Sequence, residues 1–190
     1  MNFVYTFAEK YPSYASCKST LTESSVDDNT GEALVESSYE IVDFDDVADI
    51  HMKVHSYKGA FPSVDAFYID NSGIPYFIEF KNGKNIKNDD INHKACSSIL
   101  IACDINMVPS FSYVKQRGIH IIVYNKLKQP NIENYKINAW LRNLSKRECR
   151  LQQAKNLDWL FAESFSYNQD EFDAEFIKKV LMSELVIHST

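Results

Sequence analysis

The sequence lacks the features that mark secreted and membrane proteins. Among 190 residues there are only four cysteines, with no CxxC pair, and no long apolar run. Without such a run we expect no transmembrane helix, and Glu9, Lys10 and Pro12 interrupt the apolar stretch that an N-terminal signal peptide needs. The cysteines fit reduced thiols better than a disulfide or metal framework. We therefore expect a cytoplasmic protein that does not bind a membrane.

Positive charge is also scarce, and it is unevenly distributed. The net charge is −6, which argues against a general nucleic-acid binder. Residues 1–70 carry 13 acidic and 4 basic side chains, whereas residues 71–130 carry 4 acidic and 8 basic ones. The middle of the chain could therefore still bind a polyanion such as nucleic acid, and the acidic N-terminal third could bind a protein partner.

What the sequence does contain is enough apolar material for a folded core. Hydrophobic residues make up 45% and aromatic residues 13% of the chain, which predicts a single domain over residues 1–190. From Thr30 the pattern indicates a short helix, a strand near Tyr39–Phe44 and a second helix capped by Asp45.

The second half of the pattern suggests an α/β arrangement. A helix is predicted from Asn88 or Asp89, and the β-branched run Gly118–Asn125 predicts a buried strand parallel to an earlier one. A last helix is expected near Asp170–Leu185. The predicted fold class is α/β (α+β), a mixed central sheet flanked by helices, with a core at about 32–125 and a mostly helical C-terminal extension at 126–190.

Between these parts lies the stretch PSVDAFYIDNSGIPYFIEFKNGK, residues 62–84, which reads as a buried β-hairpin. A three-residue loop ending at Gly73 would place this glycine in the left-handed conformation that such loops require. Paired residues then have numbers that sum to 144, so Phe67 faces Phe77 and Asp65 faces Glu79. Alternation puts Lys81 on the same side of the strand as Glu79, about 6.6 Å further along.

The predicted register brings two negatively charged side chains, Asp65 and Glu79, directly opposite each other, which is unfavourable. Directly paired residues have Cβ atoms about 4.5–5.5 Å apart, so Asp65 and Glu79 repel each other unless a cation lies between them. Two carboxylates at this spacing can share one Mg²⁺ ion. Two acids and Lys81 around one metal ion are suited to hydrolysis of a phosphodiester, since the ion orients water and the lysine positions or polarises it.

Asp65, followed after thirteen residues by Glu79-Phe80-Lys81 on the second hairpin strand, resembles the motif of the PD-(D/E)xK nuclease superfamily. The helix and strand that follow match the order of that superfamily's restriction-endonuclease-like αβββαβ core. The resemblance implies a Mg²⁺-dependent nuclease (Mn²⁺ as a possible substitute) acting on DNA more than on RNA. It implies Asp65, Glu79 and the Phe80 carbonyl as metal ligands and Lys81 as the catalytic lysine.

The resemblance implies two further positions. An acidic ligand is expected on the first core helix, for which Glu36 is the first choice and Glu40 the second. A polar or basic residue is expected on the helix after the lysine, where Lys94 fits. Simpler interpretations stay open: a solvated salt-bridge cluster for the hairpin charges, a solvent-facing carboxylate for Glu36, and a pair with Asp90 for Lys94.

Other features carry less weight. The basic stretch Lys136–Lys155 could contact a nucleic-acid backbone or be a solvated helix face. His51 and His55 are one helical turn apart, but the glutamate of a zinc-protease motif is missing. As an alternative to the nuclease, the chain could be a non-enzymatic interaction protein, a regulatory or immunity-type partner that keeps the fold.

Overall fold

The computed structural model describes residues 3–27, 29–59, 61–84, 86, 88–142, 144–147 and 150–183. Its strands are β1 (Lys18–Thr20), β2 (Glu40–Asp43), β3 (Ala66–Ile69), β4 (Pro75–Lys81), β5 (Ile119–Tyr124) and β6 (Glu163–Asn168). Its α-helices are α1 (Phe3–Lys10), α2 (Leu21–Ser24), α3 (Phe44–Val54), α4 (Asn88–Asp104), α5 (Phe111–Arg117), α6 (Pro130–Leu141), α7 (Gln152–Lys155) and α8 (Gln169–Phe172). A 3₁₀ helix spans Pro12–Cys17, and a π-helical segment, Asp173–Leu181, continues α8.

The six strands form one mixed sheet in chain order. Strands β1 to β4 pair antiparallel, whereas β4–β5 and β5–β6 pair parallel. The parallel β4–β5 pair follows from the crossover through α4 and α5, since parallel neighbours cannot be joined by a tight turn. The predicted mixed α/β class is confirmed. In the part of the chain that the structure describes, no helix has the length and apolar character needed to cross a membrane.

The hairpin β3–β4 has the predicted register. Phe67 pairs with Phe77 and Tyr68 with Tyr76, so the paired numbers sum to 144 as expected. The loop closes through a hydrogen bond from the Gly73 amide to the Asp70 carbonyl (2.9 Å), and Gly73 has φ +78°. Turn chemistry and alternation were therefore sufficient to place every side chain of this hairpin on its correct face.

Gly73→Ala should destabilise the fold by about 1–2 kcal/mol, because a left-handed conformation strains any residue with a Cβ atom. The added Cβ would also lie 3.0 Å from the Tyr113 hydroxyl oxygen. For a chain of this size we expect the melting temperature to fall by about 2–8 °C. The control is Gly83→Ala, where φ is not positive and the Cβ meets nothing within 4 Å. Equal melting temperatures for the two variants would contradict the assigned turn.

Each face of the sheet has its own core. On one face, α3 and α4 cover a cluster that includes Phe44, Phe67, Phe77 and Ile122. On the other face, Phe172 and Phe176 of the C-terminal helical segment pack against the outward side chains of β3 and β4. The predicted last helix is confirmed over its described part, and its final residues, 184 and 185, lie outside the described residues.

Three predictions need correction. Residues 30–39 form no helix, because Ser25 and Thr22 bind the backbone of this segment: the Leu34 amide donates to the Ser25 carbonyl and the Thr22 amide to the Ser37 carbonyl. The N-cap of α3 is Asp43, whose carboxylate accepts the Asp46 amide at 3.0 Å, and not Asp45. The C-terminal extension contributes a strand, β6, to the sheet, besides its helices.

Candidate active site

The three charged residues of the hairpin lie at one end of the sheet, on the face covered by α4. Asp65 directly precedes β3, while Glu79 and Lys81 are the fifth and seventh residues of β4. Because β4 is an inner strand between β3 and β5, Glu79 is fully buried. Lys81 is at the strand end and keeps about a fifth of its side chain exposed. Its Nζ lies 2.5 Å from Oε1 of Glu79.

Lys94 of α4 connects the two carboxylates. Its Nζ lies 2.9 Å from Oδ1 of Asp65 and 2.9 Å from Oε1 of Glu79. Lys94 therefore forms ion pairs with both predicted acids, and not with Asp90 one turn earlier, which was the simpler interpretation. The helix that follows the hairpin places this side chain beside Glu79 near the carboxyl end of β4, and its functional role stays a prediction.

A backbone contact orients Asp65. Its Oδ2 accepts a hydrogen bond from the Phe80 amide at 2.5 Å, while Oδ1 is turned towards Lys94. The carboxylates of Asp65 and Glu79 are therefore on the same side of the sheet, since one ammonium group contacts both. The position of the Phe80 carbonyl as a ligand stays a prediction.

The electrostatics of the cluster are dominated by burial. Burial, followed by the negative charge of Asp65, raises the pKa of Glu79 to about 7, and the two lysines oppose this shift only in part. For Lys94, burial alone would lower the pKa, but Glu79 and Asp65 outweigh it and raise the pKa above the usual lysine range. Near neutral pH the site therefore holds a charged Lys94 and, at Glu79, a carboxyl group close to its titration point.

Three residues of this cluster, Asp65, Lys81 and Lys94, line an open cleft of about 570 Å³, whereas the fully buried Glu79 does not. Lys81, Lys94, Asp65 and Phe80 line it from β4, α4 and the start of β3. Its acidic lining, beyond Asp65, comes from α2, the segment after α2, and the β2–α3 junction: Glu23, Asp27, Asp43, Asp45 and Asp46.

Asp45 and Asp43 are the site residues that the sequence analysis did not assign. Asp45 lies at the open side of the cleft and accepts a hydrogen bond from the Ser63 hydroxyl. Partial burial of its carboxyl group and the charge of Asp65 raise its pKa to about 6. Burial also raises the pKa of Asp43, whose carboxylate accepts the Ser24 hydroxyl at 3.0 Å. The sequence signal was three acids within four residues at a strand-to-helix junction.

Neither upstream acid proposed from the sequence is in this cleft. Glu36 is exposed in an irregular segment, because the helix expected to carry it does not form. Glu40 is at the start of β2, where it pairs with Lys18 at 3.5 Å. Of the acids upstream of the hairpin, Asp43 and Asp45 line the cleft instead of Glu36.

The donor set is compatible with a hard divalent cation. Both carboxylate oxygens of Glu79 are buried; Oε1 pairs with the ammonium groups of Lys81 and Lys94, whereas Oε2 has no hydrogen-bond partner among the described residues. A buried carboxylate oxygen without a partner is unfavourable, and a cation bound at Oε2 would satisfy it. Oxygen ligands from Asp65, Glu79 and Asp45 are those that Mg²⁺ or Mn²⁺ prefers.

The basic stretch Lys136–Lys155 is largely committed to internal ion pairs. Lys136 contacts Glu171 at 2.6 Å, and Arg150, which is buried, contacts Asp158 at 3.0 Å. These charges are therefore less available to a nucleic-acid backbone than the sequence indicated.

No protein-family model matches the chain, and comparisons with curated proteins and with solved structures find no match either. The function has to be inferred from the geometry and chemistry of the cleft.

Proposed function

We propose that the protein is a metal-dependent nuclease that hydrolyses phosphodiester bonds, with Mg²⁺ as cofactor, Mn²⁺ as a possible substitute, and DNA a better substrate than RNA. One observation supports this most: the buried Glu79 carboxylate contacts Lys81 and Lys94, and these two lysines line an open cleft together with Asp65. This is the combination that the resemblance to the PD-(D/E)xK superfamily implies.

Asp65, Glu79 and Asp45 would hold the metal, together with the Phe80 carbonyl. When bound, the ion supplies a Lewis acid that activates water and offsets charge on the phosphate. The bond from the Phe80 amide fixes Oδ2 of Asp65, so that Oδ1 stays directed into the cleft. This fixed orientation lowers the entropy cost of assembling the site.

The two lysines have different tasks. Lys81 ends its strand with its ammonium group near the solvent, where it can donate a hydrogen bond to the attacking water and hold it in position. Lys94 balances both carboxylates in the metal-free protein, and its long stem lets the ammonium group turn to a phosphate oxygen when a metal takes over this task. Lys94 thereby ties nucleic-acid binding to metal binding.

Asp65→Asn tests this assignment. Wild-type protein should cleave single- or double-stranded DNA, or RNA, with Mg²⁺ or Mn²⁺ and not with a chelator. Mg²⁺ at about a hundred times its Kd should stabilise the wild type by about 2.7 kcal/mol, which is a rise of about 5–10 °C in melting temperature. Asp65→Asn should lose both the cleavage and the rise, since an amide is a poor substitute for a charged ligand.

The matched control is Asp158→Asn, because Asp158 is ionised, paired with Arg150 and remote from the cleft lining. A rise in melting temperature that is equal in wild type and Asp65→Asn would place any metal site elsewhere. A folded wild type that cleaves none of these substrates with either metal would favour the alternative.

That alternative, a non-enzymatic interaction protein, is favoured by the acidic lining of the cleft. Six carboxylates line it against two lysines, which suits a basic protein segment. In that case substitutions at Asp45 and Asp46 should weaken the association, and metal ions should compete with the partner instead of being required.

A further inference from the structure

A separate group of side chains lies where α3 and α4 end. His51 is in the last turn of α3, His55 directly follows that helix, and Asp104 is the last residue of α4. Nε2 of His51 lies 3.6 Å from Oδ2 of Asp104, and Nε2 of His55 lies 3.8 Å from the same oxygen. One nitrogen or oxygen atom from each of the three residues can be chosen so that all lie within 4.8 Å of one another.

We infer that His51, His55 and Asp104 form a transition-metal site that binds Zn²⁺. The inference does not depend on the proposed nuclease activity, because Asp104 is ten residues beyond Lys94 on α4, about 15 Å along the helix. This site is at the C-terminal ends of α3 and α4, whereas the carboxylate cleft is lined from the first turn of α3 and from Lys94 in the first half of α4.

The spacing suits tetrahedral coordination. Bonds of about 2.0–2.2 Å from a Zn²⁺ ion to nitrogen and oxygen ligands place the ligand atoms about 3.3–3.6 Å apart. The distance of 3.6 Å between His51 and Asp104 is at the upper limit of this range, and the distance of 3.8 Å between His55 and Asp104 lies just above it. The required closure is a small change in side-chain torsions, since His55 and Asp104 are both exposed.

The surroundings orient the histidine and favour a cation. Tyr14 lies with its hydroxyl oxygen 3.4 Å from Nδ1 of the buried His51, so the tautomer protonated at Nδ1 can donate to Tyr14 and leave Nε2 free to bind a metal. The carboxyl ends of α3 and α4 both face this group, and helix C-termini carry partial negative charge. Burial, followed by the neighbouring His55, also lowers the pKa of His51, which favours the neutral ligand form.

The chemistry of the donors selects the class of metal. Two imidazoles and one carboxylate suit Zn²⁺ and similar transition-metal ions, whereas Mg²⁺ prefers oxygen donors alone. His51 and Asp104 form part of the wall of a cleft of about 480 Å³, next to Tyr57 and Leu100, and the exposed His55 stacks on Tyr57. Three protein ligands with an accessible fourth position are typical of a site that binds water or a small ligand at the metal.

A Zn²⁺ titration of the metal-stripped chain tests the inference, with a chromophoric chelator as competitor. It is run in the Asp65→Asn background, so that the carboxylate cleft contributes little. One Zn²⁺ per chain should bind, and His55→Gln and Asp104→Asn should each weaken binding at least about a hundredfold, because loss of an outer-shell partner alone typically costs 10–100-fold. Co²⁺ at the site should give tetrahedral visible bands without a thiolate charge-transfer band.

The matched control is His93→Gln, an exposed histidine on α4 that is not part of the group. It should bind Zn²⁺ like its parent. Binding that His55→Gln and Asp104→Asn leave unchanged, a Co²⁺ spectrum with thiolate character, or no binding at all by folded protein would overturn the inference. None of these outcomes depends on whether the protein cleaves nucleic acid.

Discussion

Lys81→Ala should lower the rate of metal-dependent cleavage about 10²–10⁴-fold and leave Mg²⁺ affinity within a few-fold of wild type. A rate loss of this size is typical when one group that positions or polarises the attacking water is removed. Metal affinity should survive because Lys81 is not one of the proposed ligands, and Asp65, Glu79 and Asp45 are all retained in the variant. Cleavage should be measured by single-turnover kinetics at saturating Mg²⁺, which separates chemistry from binding.

The pH of this experiment matters. Without Lys81, whose charge lowers the pKa of Glu79, that pKa should rise above about 7. The assay is therefore run at increasing pH above 8, and the two rates are compared where neither changes further with pH. Lys84→Ala, an exposed lysine on the loop after β4, is the matched control and should keep its activity. An equal loss in Lys84→Ala would mean that general charge, and not the position of Lys81, matters.

Glu79→Gln should remove a large pH dependence from the stability of the metal-free protein. The pKa of Glu79 is raised from 4.5 to about 7 in the folded state. The folded state therefore holds the proton more tightly than the unfolded state, and its stabilising contribution is complete below about pH 4.5 and lost as the pH rises through about 7. A shift of this size corresponds to roughly 3 kcal/mol at 1.36 kcal/mol per pKa unit.

The measurement is chemical denaturation between pH 4.5 and 8.5 with a chelator present. Asp45, with a pKa raised to about 6, adds a pH dependence of the same sign. The buried His51 and His120, whose pKa values are lowered, add one of opposite sign. The difference between wild type and Glu79→Gln isolates Glu79, and it should grow with pH in favour of the variant.

The control for this difference is Glu163→Gln, an exposed carboxylate at the start of β6. Its stability curve should run parallel to that of the wild type. If the Glu79→Gln curve is parallel as well, Glu79 is ionised at all these pH values, and the metal-free site is already satisfied by its two lysines.

Local patterns determined the hairpin and its neighbours. Gly73 fixes the turn, the period of two fixes the register, and together they put Asp65, Glu79 and Lys81 at one end of one face. The helix that carries Lys94 and the parallel strand β5 also follow from contiguous residues, since periodicity and a crossover connection are local signals.

Which acid upstream of the hairpin joins Asp65 in the cleft was decided only by the tertiary structure. Glu36 was expected on a helix, but the backbone around it forms hydrogen bonds with Thr22 of α2 and with Ser25, which directly follows α2. In a segment with little hydrophobic periodicity, such hydrogen bonds determine the backbone conformation more than the helix propensity of its residues does. As a result Asp45, at the β2–α3 junction, and not Glu36, lines the cleft with Asp65.

The remaining features depend on contacts between residues far apart in sequence. Strand β6 alternates serine with aromatic residues, and becomes a strand because β5 offers it a parallel edge. His51 and Asp104 meet only because α3 and α4 pack side by side. The sequence determined which residue types were present and which face of each local element they occupy. The packing of elements against one sheet decided which of those faces meet, because a contact across fifty residues has no local signal in the chain.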